Sequence, residues 1–273
     1  MIEKIYTATP NGYLASLVEI EADMNLNSLP ATIIVGLPDT VVQESRERVR
    51  SAIKNSSFQY PVARISINLA PGDIPKVGSH FDLAIALSVL LAGGLIEFNP
   101  EKKMFIGELA LDGRVRPSVG VLSMVMAAKR AGIKEVFVPM ANIPEAVLVS
   151  GVSIYGVESL VQAVEHLTDA ERLKPETKKA ITSEIGKNIE VDFSEIAGQQ
   201  LAKRALIIAA AGFHNLRMVG SPGSGKTMLA KALAGILPSL TESEIVETTN
   251  IHSLSGKLPS GLVNVRPFRS PHQ

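Results

Sequence analysis

The chain has 273 residues, 27 basic and 27 acidic side chains, 46% apolar residues and no cysteine. This composition excludes wholesale disorder, a disulfide scaffold, a thiolate metal site and a cysteine nucleophile. At roughly 150 residues per domain, two packed cores are expected. The longest apolar run, residues 83–96, lies between Asp82 and Glu97 and is too short to cross a bilayer, so it predicts a buried helix. The first twenty residues contain Glu3, Pro10, Asn11 and Gly12 and do not read as a signal peptide. A soluble cytoplasmic protein is expected.

Charge is uneven along the chain. Residues 1–167 carry 14 basic and 17 acidic side chains, residues 168–195 carry 5 and 7, and residues 196–273 carry 8 and 3. The middle stretch, with Pro175 and Gly186, reads as a solvated linker with room for a short helix. The basic excess of the last stretch suits an anionic ligand such as nucleotide or nucleic acid, and equally a solvated face.

In chain order, residues 13–21, 32–35 and 64–69 alternate or cluster β-branched residues as strands do. Val41, Val42, Ser45, Val49, Ala52 and Ile53 recur at helical spacing, with Gln43, Glu44, Glu47, Arg48 and Arg50 on the solvated face and Pro38 in the first turn. Residues 108–116 predict a hairpin around Asp112-Gly113 with a type I′ turn. Residues 124–131 predict a helix, 135–139 a strand and 157–167 a closing helix. The first region is therefore α/β with mixed strand directions, and no internal repeat is found.

The chemistry lies further on. Gly220-Ser221-Pro222-Gly223-Ser224-Gly225-Lys226-Thr227 fits the phosphate loop G-x-x-x-x-G-K-[ST]. Residues 215–219 predict a short buried strand before it and residues 228–237 a helix after it. The glycines let successive N–H groups point at a phosphate, with the positive end of the helix dipole behind them. Lys226 reaches the β and γ phosphates and carries transition-state charge, while the Thr227 hydroxyl takes a magnesium position. ATP and magnesium are the expected cofactors.

Several further runs carry a resemblance: Ile196-Ala197-Gly198-Gln199-Gln200, residues 205–215, Leu237-Pro238-Ser239-Leu240-Thr241, Ile251-His252-Ser253, and Arg266-Pro267-Phe268-Arg269-Ser270-Pro271-His272. With the phosphate loop they closely resemble the magnesium-chelatase-like AAA+ family, in its YifB/ComM branch. The first region joins through Val49-Arg50-Ser51-Ala52-Ile53, Asn68-Leu69-Ala70-Pro71 and residues 81–87. The resemblance implies an α/β chain built of a Lon-protease-like βαβ domain at 1–167, a charged linker at 168–191, and the N-terminal part of a P-loop AAA+ domain, a parallel αβα fold, at 192–273. It implies a hexameric ring ATPase that drives DNA branch migration as a helicase in natural transformation, with its own copies and DNA as partners and no membrane. Gly198 and Gln199 resemble the segment that covers the adenine, although a helix N-terminus explains much of that pattern. A chelatase-type motor subunit for metal insertion into a porphyrin and a non-hydrolysing interaction module stay open; the Lon-like domain argues against the first.

An AAA+ ATPase also needs an apolar strand ending in Asp-Glu, a sensor residue and an arginine finger. None follows the Arg266–His272 run, and Gln273 stands where the family usually has a second histidine. The chain is thus expected to be the N-terminal part of a longer motor, able to hold the triphosphate but weak or inactive in hydrolysis.

A Ser–Lys pair in a Lon-like fold would be catalytic. Here the nucleophile position of Pro75-Lys76-Val77-Gly78-Ser79-His80-Phe81-Asp82 aligns with His80, Ser79 is one residue off, and the general-base position falls on Met124, which cannot accept a proton. No peptidase is expected, and Ser79 and His80 read as loop or interface residues. The five histidines, His80, His166, His214, His252 and His272, are too scattered for a zinc site, and most of them read as caps or surface groups. Arg266 and Arg269 flank Phe268, a mix of cation and aromatic suited to a nucleic-acid backbone and base, or to a subunit-interface or intradomain loop.

Overall fold

A computed structural model describes residues 4–177, 191–258 and 261–269. The chain divides into two units, Met1–Lys179 with Thr249–Leu262, and Ala180–Thr248 with Val263–Gln273. Most of the predicted linker, and any short helix in it, lies outside the described residues, as does His272.

The first unit is built on strands β1 (Lys4–Asn11), β2 (Leu14–Asn25) and β3 (Ala31–Val35), helix α1 (Thr40–Asn55), strand β4 (Arg64–Ala70), helix α2 (Asp82–Ala92), strands β5 (Lys103–Phe105), β6 (Glu108–Leu109) and β7 (Val115–Arg116), helix α3 (Val121–Arg130), strand β8 (Glu135–Pro139), the short helix α4 (Ile143–Ala146), strand β9 (Ser153–Val157) and helix α5 (Leu160–Leu167). Seven strands form one sheet in the order β3-β4-β2-β1-β5-β8-β9, and β6-β7 form a separate ribbon. The β1-β2 and β2-β4 pairs are antiparallel; β3-β4, β1-β5, β5-β8 and β8-β9 are parallel. Mixed directions follow from the connections: a two-residue loop can only reverse the chain, whereas a crossover helix returns it parallel.

Burial explains the elements. Val18, Ile20 and Ala22 alternate along β2 and join Ile65, Ile67 and Leu69 of β4 in one core. Helix α2 is buried from Asp82 to Leu90, so its sequence is apolar all round rather than striped. Helix α3 packs on β1 and β2 through Val121, Leu122, Met124, Val125 and Ala128, outside that cluster. Phe105, Phe137 and Tyr155 stack in sequence with ring centroids 4.8 and 5.0 Å apart, and His166 lies tilted against Tyr155 at 4.7 Å.

Several sequence expectations are corrected. Strand β1 was not expected, and β2 runs four residues past residue 21. Pro38 lies before α1, not in its first turn: Asp39 is the N-cap, accepting the Val42 N–H at 2.7 Å. The 108–116 hairpin forms in register, Glu108 opposite Arg116 and Leu109 opposite Val115, but its turn is not type I′. Only Gly113 has positive φ, at 86°, and Gly113 N–H bonds the Ala110 carbonyl, so three residues separate Ala110 from Arg114. Val157 closes a strand, and the last helix starts at Leu160, capped by Ser159.

The second unit contains helices α6 (Gln200–Gly212) and α7 (Lys226–Ile236) and most of α8 (Glu242–Leu254), whose residues from Thr249 onward belong to the first unit. Ile196, Leu206, Leu229 and Ala232 form its small core. The strand expected at 215–219 does not form; Val219 is 81% exposed. A strand needs neighbours for its N–H and C=O groups, and among the described residues of this unit there is none. No helix among the described residues is long and apolar enough to cross a membrane.

Candidate functional site

The phosphate loop leads straight into α7, whose first residue is Lys226. Gly223 and Gly225 have φ of +78° and +82°, and a Cβ at either would meet nothing within 4 Å. Glycine is therefore needed here for backbone conformation rather than for space. The loop turns back on itself in two left-handed steps, and Gly225 caps the helix without a side chain.

Lys226 folds over the loop. Its Nζ donates to the Gly220 carbonyl at 3.0 Å, the Ser221 carbonyl at 2.8 Å and the Ser224 hydroxyl at 3.2 Å. A phosphate entering the loop competes for this ammonium with two neutral carbonyls, and a charge-assisted bond to an anion is stronger. Together with the N-terminal end of an 11-residue helix, whose first N–H groups lack intrahelical partners, this donor set fits a polyphosphate.

A pocket of ≈ 390 Å³ adjoins the loop and gathers Gln199, Gly220, Ser221, Ser224 and Lys226 with Ala202, Leu206, Leu216, Arg217, Met218 and Leu229. The lining thus combines hydrogen-bonding groups with apolar side chains. Gly198 and Gln199 precede α6 with φ of +66° and +54°, and Gln199 lines the pocket while Gly198 does not. Pro222, Gly223 and Gly225 shape the loop from outside the lining. Thr227 is the second residue of α7 and is exposed. The lining residues Leu216, Arg217 and Met218 were not singled out from the sequence, where they read as strand.

Arg266 is engaged. Its Nε donates to the Pro238 carbonyl at 2.7 Å, its Nη2 lies 3.2 Å from Glu244 Oε1, and its guanidinium sits 5.7 Å from the Phe213 ring centre. Phe268 is 42% exposed, and Arg269 is exposed.

In the first unit, the Ser79 hydroxyl donates to Glu108. His80 is buried against Phe81 with ring centroids 4.3 Å apart, and burial pulls its imidazole down to about 4. Met124 is fully buried. The loop or interface reading of His80 is corrected, since it is core, while His166, half-buried, accepts the Leu173 N–H at 2.9 Å past the end of α5 and tilts against Tyr155. No cluster of three or more metal-ligating side chains occurs among the described residues.

The family model described as subunit ChlI of Mg-chelatase matches residues 20–142, and that described as magnesium chelatase, subunit ChlI, matches residues 192–273. The chain is 42% identical over 273 residues to the competence protein ComM of Haemophilus influenzae, covering 98% of this chain and 53% of that protein. It is 39% identical over 274 residues to the uncharacterized protein YifB of Escherichia coli, covering 98% and 52%. A Lon protease of Lachnoclostridium phytofermentans is 29% identical over 160 residues, 52% of this chain and 19% of that protein. The chain spans about half the length of the curated ComM and YifB relatives it matches. With chelatase matches at residues 20–142 and 192–273, and ComM and YifB aligned over 98% of the chain, the chain belongs to the magnesium-chelatase-like AAA+ family, in its YifB/ComM branch, as a Lon-like domain followed by the start of a P-loop AAA+ domain.

Proposed function

We propose that this chain is the nucleotide-holding part of a ComM-like AAA+ ATPase motor that works in the cytoplasm as a homo-oligomeric ring, a hexamer, and acts on DNA as a branch-migrating helicase. The observation that carries the reading is the Lys226 ammonium, held over a complete phosphate loop beside a pocket of mixed polar and apolar lining. Gly220, Pro222, Gly223, Ser224, Gly225 and Lys226 would hold the triphosphate, and Gly198 and Gln199 would flank the adenine. Thr227 would hold magnesium, which when bound neutralises phosphate charge.

The Lon-like domain is read as non-peptidolytic. In support, the Ser79 hydroxyl is committed to a carboxylate, and the general-base position is a buried methionine. The partly exposed Phe268 and exposed Arg269 remain candidates for DNA contact, while the bonds of Arg266 favour an intradomain strut.

The test is a titration of ATP with magnesium against the wild-type chain and Lys226→Ala. Binding should be lost in the variant, because it removes the loop's only ammonium. Equal affinity in both would overturn the assignment.

A further inference from the structure

Arg46, Arg50 and Lys54 stand four residues apart on the exposed face of α1, so they form one row with a step of about 6 Å. With Tyr60 and Pro61 beyond the helix and Pro30 to Thr32 at the start of β3, they line a groove of ≈ 450 Å³. Arg50 sits 5.8 Å from the Tyr60 ring centre, and the Tyr60 hydroxyl shares a hydrogen bond with Thr32 Oγ1 at 2.9 Å. The groove is thus lined by an aromatic ring whose hydroxyl is held by Thr32 and whose face has a guanidinium at cation–π distance.

The row differs from its neighbour Arg48, which is turned inward onto a buried carboxylate. None of Arg46, Arg50 and Lys54 forms an ion pair with a described residue, and Arg46 spends only its Nε, on the Gln43 carbonyl at 2.9 Å. Glu47 is the one carboxylate lining the groove, so three cations face one anion. This concentration stands out in a region whose own balance is acidic.

We propose that this groove binds single-stranded nucleic acid, with Arg46, Arg50 and Lys54 on successive phosphates and a base against the Tyr60 ring beside Arg50. A row of evenly stepped cations matches an evenly spaced chain of phosphates, and an aromatic beside arginine is a sequence-tolerant stacking surface. Stacking on a side chain needs an unpaired base, so the occupant is a single strand. The site uses residues of the Lon-like domain and none of the phosphate loop, and it rests on the premise of the proposed function that the partner is a nucleic acid.

The experiment measures binding of the whole chain to a fluorescent single-stranded oligonucleotide over a salt series. The probes are wild type, the triple variant Arg46→Gln/Arg50→Gln/Lys54→Gln, and Tyr60→Leu, with thermal melts confirming folding and inorganic polyphosphate as a base-free competitor. The triple variant should lose at least tenfold in affinity and lower the slope of log K against log salt by about 2, at about 0.7 per phosphate contact. Tyr60→Leu should weaken the oligonucleotide but not polyphosphate. Wild-type affinity and slope in the triple variant would overturn this site while leaving the DNA reading standing. No binding by wild type at low salt would overturn both. A change in sedimentation with unchanged oligonucleotide affinity would make the row a contact between copies and overturn the proposal.

Discussion

Arg48 and Asp82, 34 residues apart, form a two-pronged ion pair, Nε to Oδ2 at 2.8 Å and Nη2 to Oδ1 at 3.1 Å. Asp82 is fully buried at the start of α2 and also accepts the Ser45 hydroxyl at 2.5 Å and the Leu109 N–H at 3.2 Å. One carboxylate thus joins α1, α2 and the β6-β7 ribbon. Burial pushes the Asp82 carboxyl up despite its donors, and the bond to Asp82 holds Arg48 above its ordinary value.

Breaking this pair from one side leaves a buried charge without its partner. Arg48→Met should destabilise the first unit by about 3–5 kcal/mol, and Arg48→Met/Asp82→Leu should cost clearly less than the two single changes added together. Urea denaturation of the four proteins in the cycle checks this. Additive costs would mean that the two charges do not depend on each other.

His80 should make the fold acid-sensitive. Its imidazole titrates at about 4 in the fold, below the ordinary 6.5, because burial opposes its charge. Between these values the unfolded chain takes up a proton that the folded chain refuses, so stability is full above about pH 6.5 and falls as pH drops through 4. The loss is about 3 kcal/mol at 1.36 kcal/mol per pH unit. Glu145, raised by burial, acts with the opposite sign, so the readout is the difference between wild type and His80→Leu. Denaturation midpoints from pH 7 to 4 should fall less in the variant.

Ser253 fastens the end of α8 within the first unit. Its hydroxyl donates to Glu145, which also takes Asn142 Nδ2 at 2.7 Å and the Leu122 N–H at 3.2 Å. Nearby, Asn250 Nδ2 donates to the Tyr13 carbonyl at 3.0 Å. Ser253→Ala removes one donor from a buried carboxylate and should cost about 1–3 kcal/mol. Urea denaturation gives the cost, and hydrogen exchange at the Leu122 amide should quicken with it.

Arg266 and Arg269 should separate by their effects. Arg266→Ala removes the bonds to Pro238 and Glu244 and the contact with Phe213, so it should lower the melting temperature of the second unit. Arg269→Ala should leave melting unchanged and reduce the salt slope of oligonucleotide binding by about 0.7. The reverse pattern would exchange the strut and contact roles of the two arginines.

The sequence alone determined whatever depends on local backbone chemistry. The phosphate loop is legible because Gly223 and Gly225 supply left-handed φ and Lys226 starts a helix, all within eight consecutive residues. Helices α1 and α3 and strand β4 are legible because their apolar residues repeat at the period of the element, and helix α2 and strands β3 and β8 because each is a short unbroken run of apolar or β-branched residues. Tertiary structure decided what depends on partners distant in the chain. Arg48 belongs to the polar face of α1 by spacing, yet it turns inward because Asp82 waits at the start of another helix. His80 is a buried ring because Phe81 and the sheet enclose it. Residues 215–219 have a strand's composition and stay irregular, because a strand is made by the hydrogen bonds of its neighbours. The pocket beside Lys226 draws on Arg217 and Met218 from that same irregular stretch, and no local signal could have marked them.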